Sequence, residues 1–82
     1  MNRPDALAID PAAEVSAREL RGLLAQAVGQ LPPMQRQALV LFSIEKLPQK
    51  EIAEMLGCSV EAVKWHVFTA RKKLKERFKD YL

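Results

Sequence analysis

Residues 51–67 read EIAEMLGCSVEAVKWHV, and their pattern is the most informative in the chain about its fold. Ile52 and Leu56 have the spacing of the inner face of a short helix, and Gly57 is typical of the left-handed residue that follows a helix. Ser59 is a suitable N-cap for a longer helix that begins almost at once. Two helices joined by so tight a turn predict a helix-turn-helix, and the alternative is an ordinary helical hairpin.

The longer helix of this pair has two faces of different chemistry. Its apolar residues recur at helical spacing and predict a buried ridge of Val63, Val67, Ala70 and Leu74. At about 100° per residue, Trp65 and Phe68 fall on the opposite side. Exposed aromatic rings on one patch need a partner, and the first turns of such a helix fit the major groove of DNA. The alternative is that both rings are buried against the domain.

The chain upstream of this motif contains two further helices. We expect the first to begin between Asp10 and Ser16 and to end near Gly29. Its apolar stripe consists of Leu20, Leu23, Leu24, Ala27, Val28 and Leu31. The second runs from Pro33 to Leu47, and its many apolar residues predict a central place in the core.

These elements predict an all-α fold, a small four-helix domain with a C-terminal helix-turn-helix and no wing. We expect a flexible linker at residues 1–15 and the domain at residues 16–82, with the last helix running to about Phe78. The stripe of the first helix and the inner faces of the other three should form one core.

Composition excludes several classes of protein. The 82 residues make at most one small domain, and one Cys and one His exclude a disulfide framework or a zinc site built from this chain alone. The sequence has no paired carboxylates, no Ser/His/Asp set and no Gly-rich phosphate loop, so we expect no enzyme, no cofactor and no small-molecule substrate. No apolar run approaches the roughly 20 residues of a membrane span, and the start is not a signal peptide. We therefore expect a cytoplasmic protein without a membrane partner.

Positive charge is concentrated in the second half of the chain. Residues 1–45 carry four basic and five acidic side chains, whereas residues 46–82 carry nine basic and five acidic ones. A basic end on a small helical domain suggests a polyanion partner, most often nucleic acid, and the alternative is a solvated helix face.

The candidate DNA contacts fall into two groups. Those for reading bases are Lys64, Trp65, Phe68 and Thr69, because lysine can donate to guanine and phenylalanine can contact the thymine methyl. Those for phosphates are Gln49 and Lys50 at the start of the short helix, and His66, Arg71, Lys72 and Lys73 on the long one. For His66, an ordinary surface position is the alternative. We expect Lys75, Arg77 and Lys79 to lie in a solvated tail.

Residues 16–78 resemble region 4 of bacterial sigma factors of the extracytoplasmic-function (ECF) group. The resemblance is carried by LPPMQRQAL at 31–39, EIAEMLGCSVEAVK at 51–64 and ARKKL at 70–74. Their order and spacing together are specific, whereas EIAEMLG alone is shared by several helix-turn-helix families.

The resemblance implies a domain that docks on the −35 promoter element, contacts the β flap of RNA polymerase and is often captured by an anti-sigma factor. By position it assigns base reading to the same four residues, and phosphate contacts to Gln49, Lys50, Arg71 and the backbone of Ala62. Family members often have a small polar residue at the position of Trp65 and a basic one at His66 or Thr69, so the base preferences do not carry over. Without region 2 the chain cannot melt promoter DNA, and we expect it to be the C-terminal domain of a longer sigma factor.

Two other functions remain open. EIAEMLGCS followed by VKWHV is also close to the DNA-binding output domain of LuxR-type response regulators, which dimerises through its last helix. A sigma-like module that sequesters an anti-sigma factor would use Trp65 and Phe68 to bind protein instead of DNA.

Overall fold

The computed structural model describes the backbone of residues 11–79 and the side chains of residues 16–79. Within that range the fold consists of helices without any strand: α1 Pro11–Gly29, α2 Pro33–Leu39, α3 Gln49–Leu56 and α4 Val60–Arg77. A π-helical turn, Val40–Ile44, continues α2. The predicted all-α class with four helices and a C-terminal helix-turn-helix is confirmed.

The boundaries of α1 and α4 follow local signals in the sequence. Helix α1 begins at Pro11, inside the predicted range, so residues 11–15 of the predicted linker belong to this helix. Residues 1–10 of that linker, and residues 80–82, lie outside the described part of the chain. Helix α4 ends at Arg77, and the Phe78 N–H still donates to the Leu74 carbonyl at 3.0 Å.

The second helix ends earlier than its sequence predicts. The π-helical turn stops at Ile44, three residues before Leu47, because Lys46 takes a left-handed conformation with φ 62°. The Glu45 N–H donates to the Val40 carbonyl, and the Leu47 N–H donates to the Leu41 carbonyl, both at 3.0 Å. These two bonds satisfy carbonyls that the end of the helix would otherwise leave without partners.

Helix α4 occupies the centre of the core and packs against α1, α2 and α3. The second helix contributes to the core as predicted, since Ala38 and Leu39 are buried, and it packs on α4 together with α1 and α3. The buried core consists of Leu31, Ala38, Leu39, Ile52, Ala53, Val63, Val67 and Ala70. Ile52 and Val63 are its largest completely buried side chains, so they fix how α3 lies against α4.

The apolar stripe of α1 is only partly buried, which corrects the prediction of a single core that includes all of it. Ala27 and Leu31 are buried, whereas Leu23 and Leu24 are 40% and 41% exposed. The C-terminal end of this helix is joined to α2 by side-chain hydrogen bonds. There Arg36 Nη1 donates to the carbonyls of Gly29 and Leu31 at 3.3 and 3.2 Å.

No helix within residues 11–79 is long and apolar enough to cross a lipid bilayer.

Replacement of Ile52 tests the core directly. Ile52→Ala should lower the free energy of unfolding by about 2–4 kcal/mol, because it removes a completely buried side chain. Leu23→Ala is the matched control, and its change should be below about 1 kcal/mol because Leu23 is 40% exposed and lies outside the buried core. Urea unfolding followed by circular dichroism measures both. Equal losses for the two variants would contradict the described core.

Candidate nucleic-acid interface

The turn between α3 and α4 holds the two helices of the motif in a fixed relation. Gly57 ends α3 in the left-handed conformation, with φ 69°, and the Cys58 N–H donates to the Ala53 carbonyl at 3.0 Å. Ser59 then caps α4, since its Oγ accepts from the Ala62 N–H at 3.0 Å. Glycine adopts this conformation without steric cost, which explains so short a connection.

The outward face of α4 is determined by the ridge that it buries. Val63, Val67 and Ala70 are buried as predicted, so the residues on the opposite side point away from the core. Trp65 is 57% exposed and Phe68 is 64% exposed. The alternative left open by the sequence, in which both rings are buried within the domain, is therefore wrong.

One flank of α4 forms a shallow basic groove, which also contains apolar atoms. We call it the basic groove, and its lining residues are Phe42, Gln49, Lys64, Val67, Phe68, Arg71, Lys72, Leu74 and Lys75. The fold brings Gln49, at the start of α3, beside Lys64 and Arg71 on α4. No acidic residue of the described part of the chain lines this groove, so its electrostatic potential favours an anion.

The opposite flank of α4 carries two of the predicted phosphate contacts. Lys73 lines a separate crevice with Gln30 and Leu31 at the end of α1. On the helix, Lys73 and Arg71 are about 160° apart, so they cannot face the same strand of DNA. The other residue on this flank is His66.

His66 is half-buried and lies against Trp65. The two ring centroids are 5.3 Å apart with an edge-on geometry. The His66 Nδ1 atom is buried and has no hydrogen-bond partner among the described residues. The imidazole therefore packs edge-on against the Trp65 ring, and its buried Nδ1 is not accessible to a ligand.

The remaining predicted contacts lie at the helix starts and at the rim. Lys50 is exposed and Gln49 is half-exposed at the first turn of α3, while Thr69 is half-buried on α4. The Ala62 N–H already donates to Ser59 Oγ. If that N–H also donated to a phosphate, its hydrogen would have to be shared between the phosphate and Ser59 Oγ.

Lys75, Arg77 and Lys79 are exposed at the end of α4, as predicted, but the sequence did not reveal the neighbours of the first two. Lys75 lines the basic groove, and Arg77 Nη1 donates to Gln30 Oε1 at 2.8 Å, which ties α4 to the end of α1. The position of Lys75 could have been predicted from the helical repeat of about 100° per residue, which puts it on the same side of α4 as Lys64. The partner of Arg77 is 47 residues away in sequence and left no local signal.

Among the described residues no group of three or more His, Cys, Asp or Glu side chains could hold a metal ion. Cys58 is a half-buried free thiol that packs against the core.

The fold and this surface define a helix-turn-helix domain whose second helix presents aromatic and basic side chains. A family model described as "Sigma-70, region 4" matches residues 21–74. The chain belongs to this family, whose members are helix-turn-helix, DNA-binding domains of sigma factors that act in transcription. The family implies interaction with promoter DNA and with RNA polymerase, and it is not a catalytic family. A comparison with curated proteins gave no significant match.

The Ser59 cap offers a test of how the start of α4 is held. Ser59→Ala should lower the free energy of unfolding by about 1 kcal/mol, because the Ala62 N–H loses its acceptor. Ser16→Ala is the control, since Ser16 is exposed within α1 and alanine favours a helix, so no loss is expected. Thermal unfolding measures both variants. A Ser59→Ala protein as stable as the parent chain would contradict the cap.

Proposed function

We propose that this domain recognises the −35 element of promoters by placing the first turns of α4 in the major groove. One observation carries the proposal: Trp65 and Phe68 are exposed on the face of α4 opposite the buried ridge, and the basic groove flanks that face. The major groove is wide enough for one helix, and its base edges differ for each base pair.

The outward residues have distinct parts in base reading. Phe68 would contact a thymine methyl, and Lys64 would donate to the O6 and N7 atoms of guanine. Trp65 would pack on a sugar or a base edge, in an orientation supported by its contact with His66. Thr69 is half-buried, so its hydroxyl would reach only a base at the edge of the footprint.

The phosphate contacts divide between the two strands that border the groove. Gln49, Lys50, Arg71 and Lys72 would serve the strand on the side of the basic groove, and His66 and Lys73 the opposite strand. Gln49, Arg71 and Lys72 line the basic groove and Lys73 lines the crevice on the opposite flank, which supports this division. Such contacts supply affinity and salt dependence but no sequence reading.

We further propose that the domain belongs to an ECF-type sigma factor that works in the cytoplasm. The segments at 31–39 and 70–74 support this subgroup. The core of RNA polymerase, through its β flap, and an anti-sigma factor would be the protein partners. Ile44 and Met55 support such contacts, because both are exposed apolar side chains outside the basic groove.

The output domain of a LuxR-type regulator fits less well. Such a domain dimerises through its last helix, whereas the last turns of α4 expose Lys72, Lys73, Lys75 and Glu76. Repulsion between the three lysines of each copy disfavours a dimer through that segment. A module that only captures an anti-sigma factor would show little salt-sensitive binding to duplex DNA, which the following experiment measures.

Base reading and phosphate binding can be separated with two variants. A preferred duplex is first selected from random sequences with the 82-residue chain, and a scrambled duplex serves as reference. Trp65→Ala should weaken binding to the selected duplex by about tenfold and leave the scrambled duplex nearly unchanged. Lys72→Ala should weaken both equally and reduce the salt slope by about one. Fluorescence anisotropy at several salt concentrations gives these values.

Two results would contradict the proposal. If the parent chain selects no preferred duplex and binds none, DNA recognition by this domain is wrong. If Trp65→Ala and Lys72→Ala weaken the selected and scrambled duplexes to the same extent, α4 does not read bases.

A further inference from the structure

The turn before α3 has an unusual residue in a strained conformation. Lys46 has φ 62°, and within residues 11–79 it is the one non-glycine residue with positive φ. A β-carbon in the left-handed region approaches the following carbonyl oxygen, which is why helices commonly end on glycine there. The chain follows this rule after α3, where Gly57 has φ 69°, but it has a lysine after the π-helical turn.

The Lys46 side chain adjoins the basic groove. It is exposed and lines a small depression with Phe42, Ser43, Leu47 and Arg71. Phe42 and Arg71 also line the basic groove, so the two depressions share a wall. The surface that begins at Lys64 therefore continues across Arg71 to the turn before α3.

Among the residues that the structure describes, no anionic side chain lies in either depression to compensate these charges. The residues that line the two depressions include no Asp or Glu. Within residues 16–79, neither Lys46 nor Arg71 has an ion-pair partner. Like charges that face one depression repel each other, and an anion bound between them would remove that repulsion.

We propose that Lys46 binds a DNA phosphate beside the one contacted by Arg71, and that the strained turn exists to place it there. This inference rests on the proposed function and adds a contact outside the two helices of the motif. The first helix of a helix-turn-helix crosses the DNA backbone, so the turn before α3 lies next to the phosphates. Backbone strain at a binding residue is retained when it positions the side chain for function.

The proposal predicts opposite changes in stability and in affinity for one substitution. Lys46→Gly should raise the melting temperature by about 4 °C or more, because glycine removes the strain. The same variant should bind any duplex about fivefold to tenfold more weakly at about 0.1 M salt, with a salt slope smaller by about one. Lys46→Arg keeps the charge and the strain, so it should retain both parental values.

A second lysine provides the matched control for the loss of one positive charge. Lys79 is exposed beyond the end of α4 and lies 4.0 Å from Glu76, so Lys79→Ala should change affinity by less than about twofold. Calorimetry measures the melting temperatures, and anisotropy titrations with the selected and scrambled duplexes measure the affinities.

Each outcome decides between the possibilities. A more stable Lys46→Gly chain with parental affinity would overturn the phosphate contact, and a loss of affinity without a gain in stability would overturn the role of strain. Equal losses for Lys46→Gly and Lys79→Ala would show a general effect of net charge, which also overturns the contact. Failure of the parent chain to bind any duplex is a different result, because it refutes the proposed function itself.

Discussion

The burial of one ridge of α4 is the constraint on which the interface depends. Val63, Val67 and Ala70 are at most 4% exposed, and burial of each valine contributes about 1.5–3 kcal/mol. A rotation of α4 by one residue, about 100°, would bring Lys64 into the core. An unpaired ammonium there would cost much more than the lost apolar contacts could offset. Rotation is therefore fixed, and the outward direction of Trp65 and Phe68 is fixed with it.

The two sides of α4 allow stability and recognition to be set by different residues. The ridge, the Gly57 turn and the Ser59 cap hold the helix, and none of these needs to touch a ligand. The outward rings and the cationic side chains of the basic groove lie outside the buried core, so their chemistry can suit a polyanion. Lys46 is the exception, because its backbone conformation opposes stability while its side chain extends the basic surface.

Much of the fold could be predicted because local chemistry determines it. The spacing of the apolar residues predicted the buried ridge of α4. A glycine followed two residues later by a serine predicted the turn between α3 and α4. The exposure of Leu23 and Leu24 could not be predicted, because an amphipathic stripe shows that a helix has an apolar face but not how much of it finds a partner. The left-handed conformation of Lys46 could not be predicted either, since lysine has no preference for that conformation.

The sequence predicts which residues belong to the candidate site, but it does not predict how they are arranged in space. Arg71 and Lys73 belong to one basic run in the sequence, yet the structure places them on opposite flanks of α4. Gln49 and Lys64 line the same groove because α3 packs against α4, and no short segment of the sequence encodes that packing. The roles of these residues in DNA binding are proposals that rest on this arrangement and on the family.

The fluorescence of Trp65 reports whether α4 enters the groove of DNA, because it is the only tryptophan in the chain. Duplex DNA is titrated into the 82-residue chain while tryptophan emission and the anisotropy of a dye on the DNA are recorded together. If α4 enters the groove, the emission changes and saturates at the same DNA concentration as the anisotropy. Saturating anisotropy with unchanged emission would mean that DNA binds elsewhere on the domain.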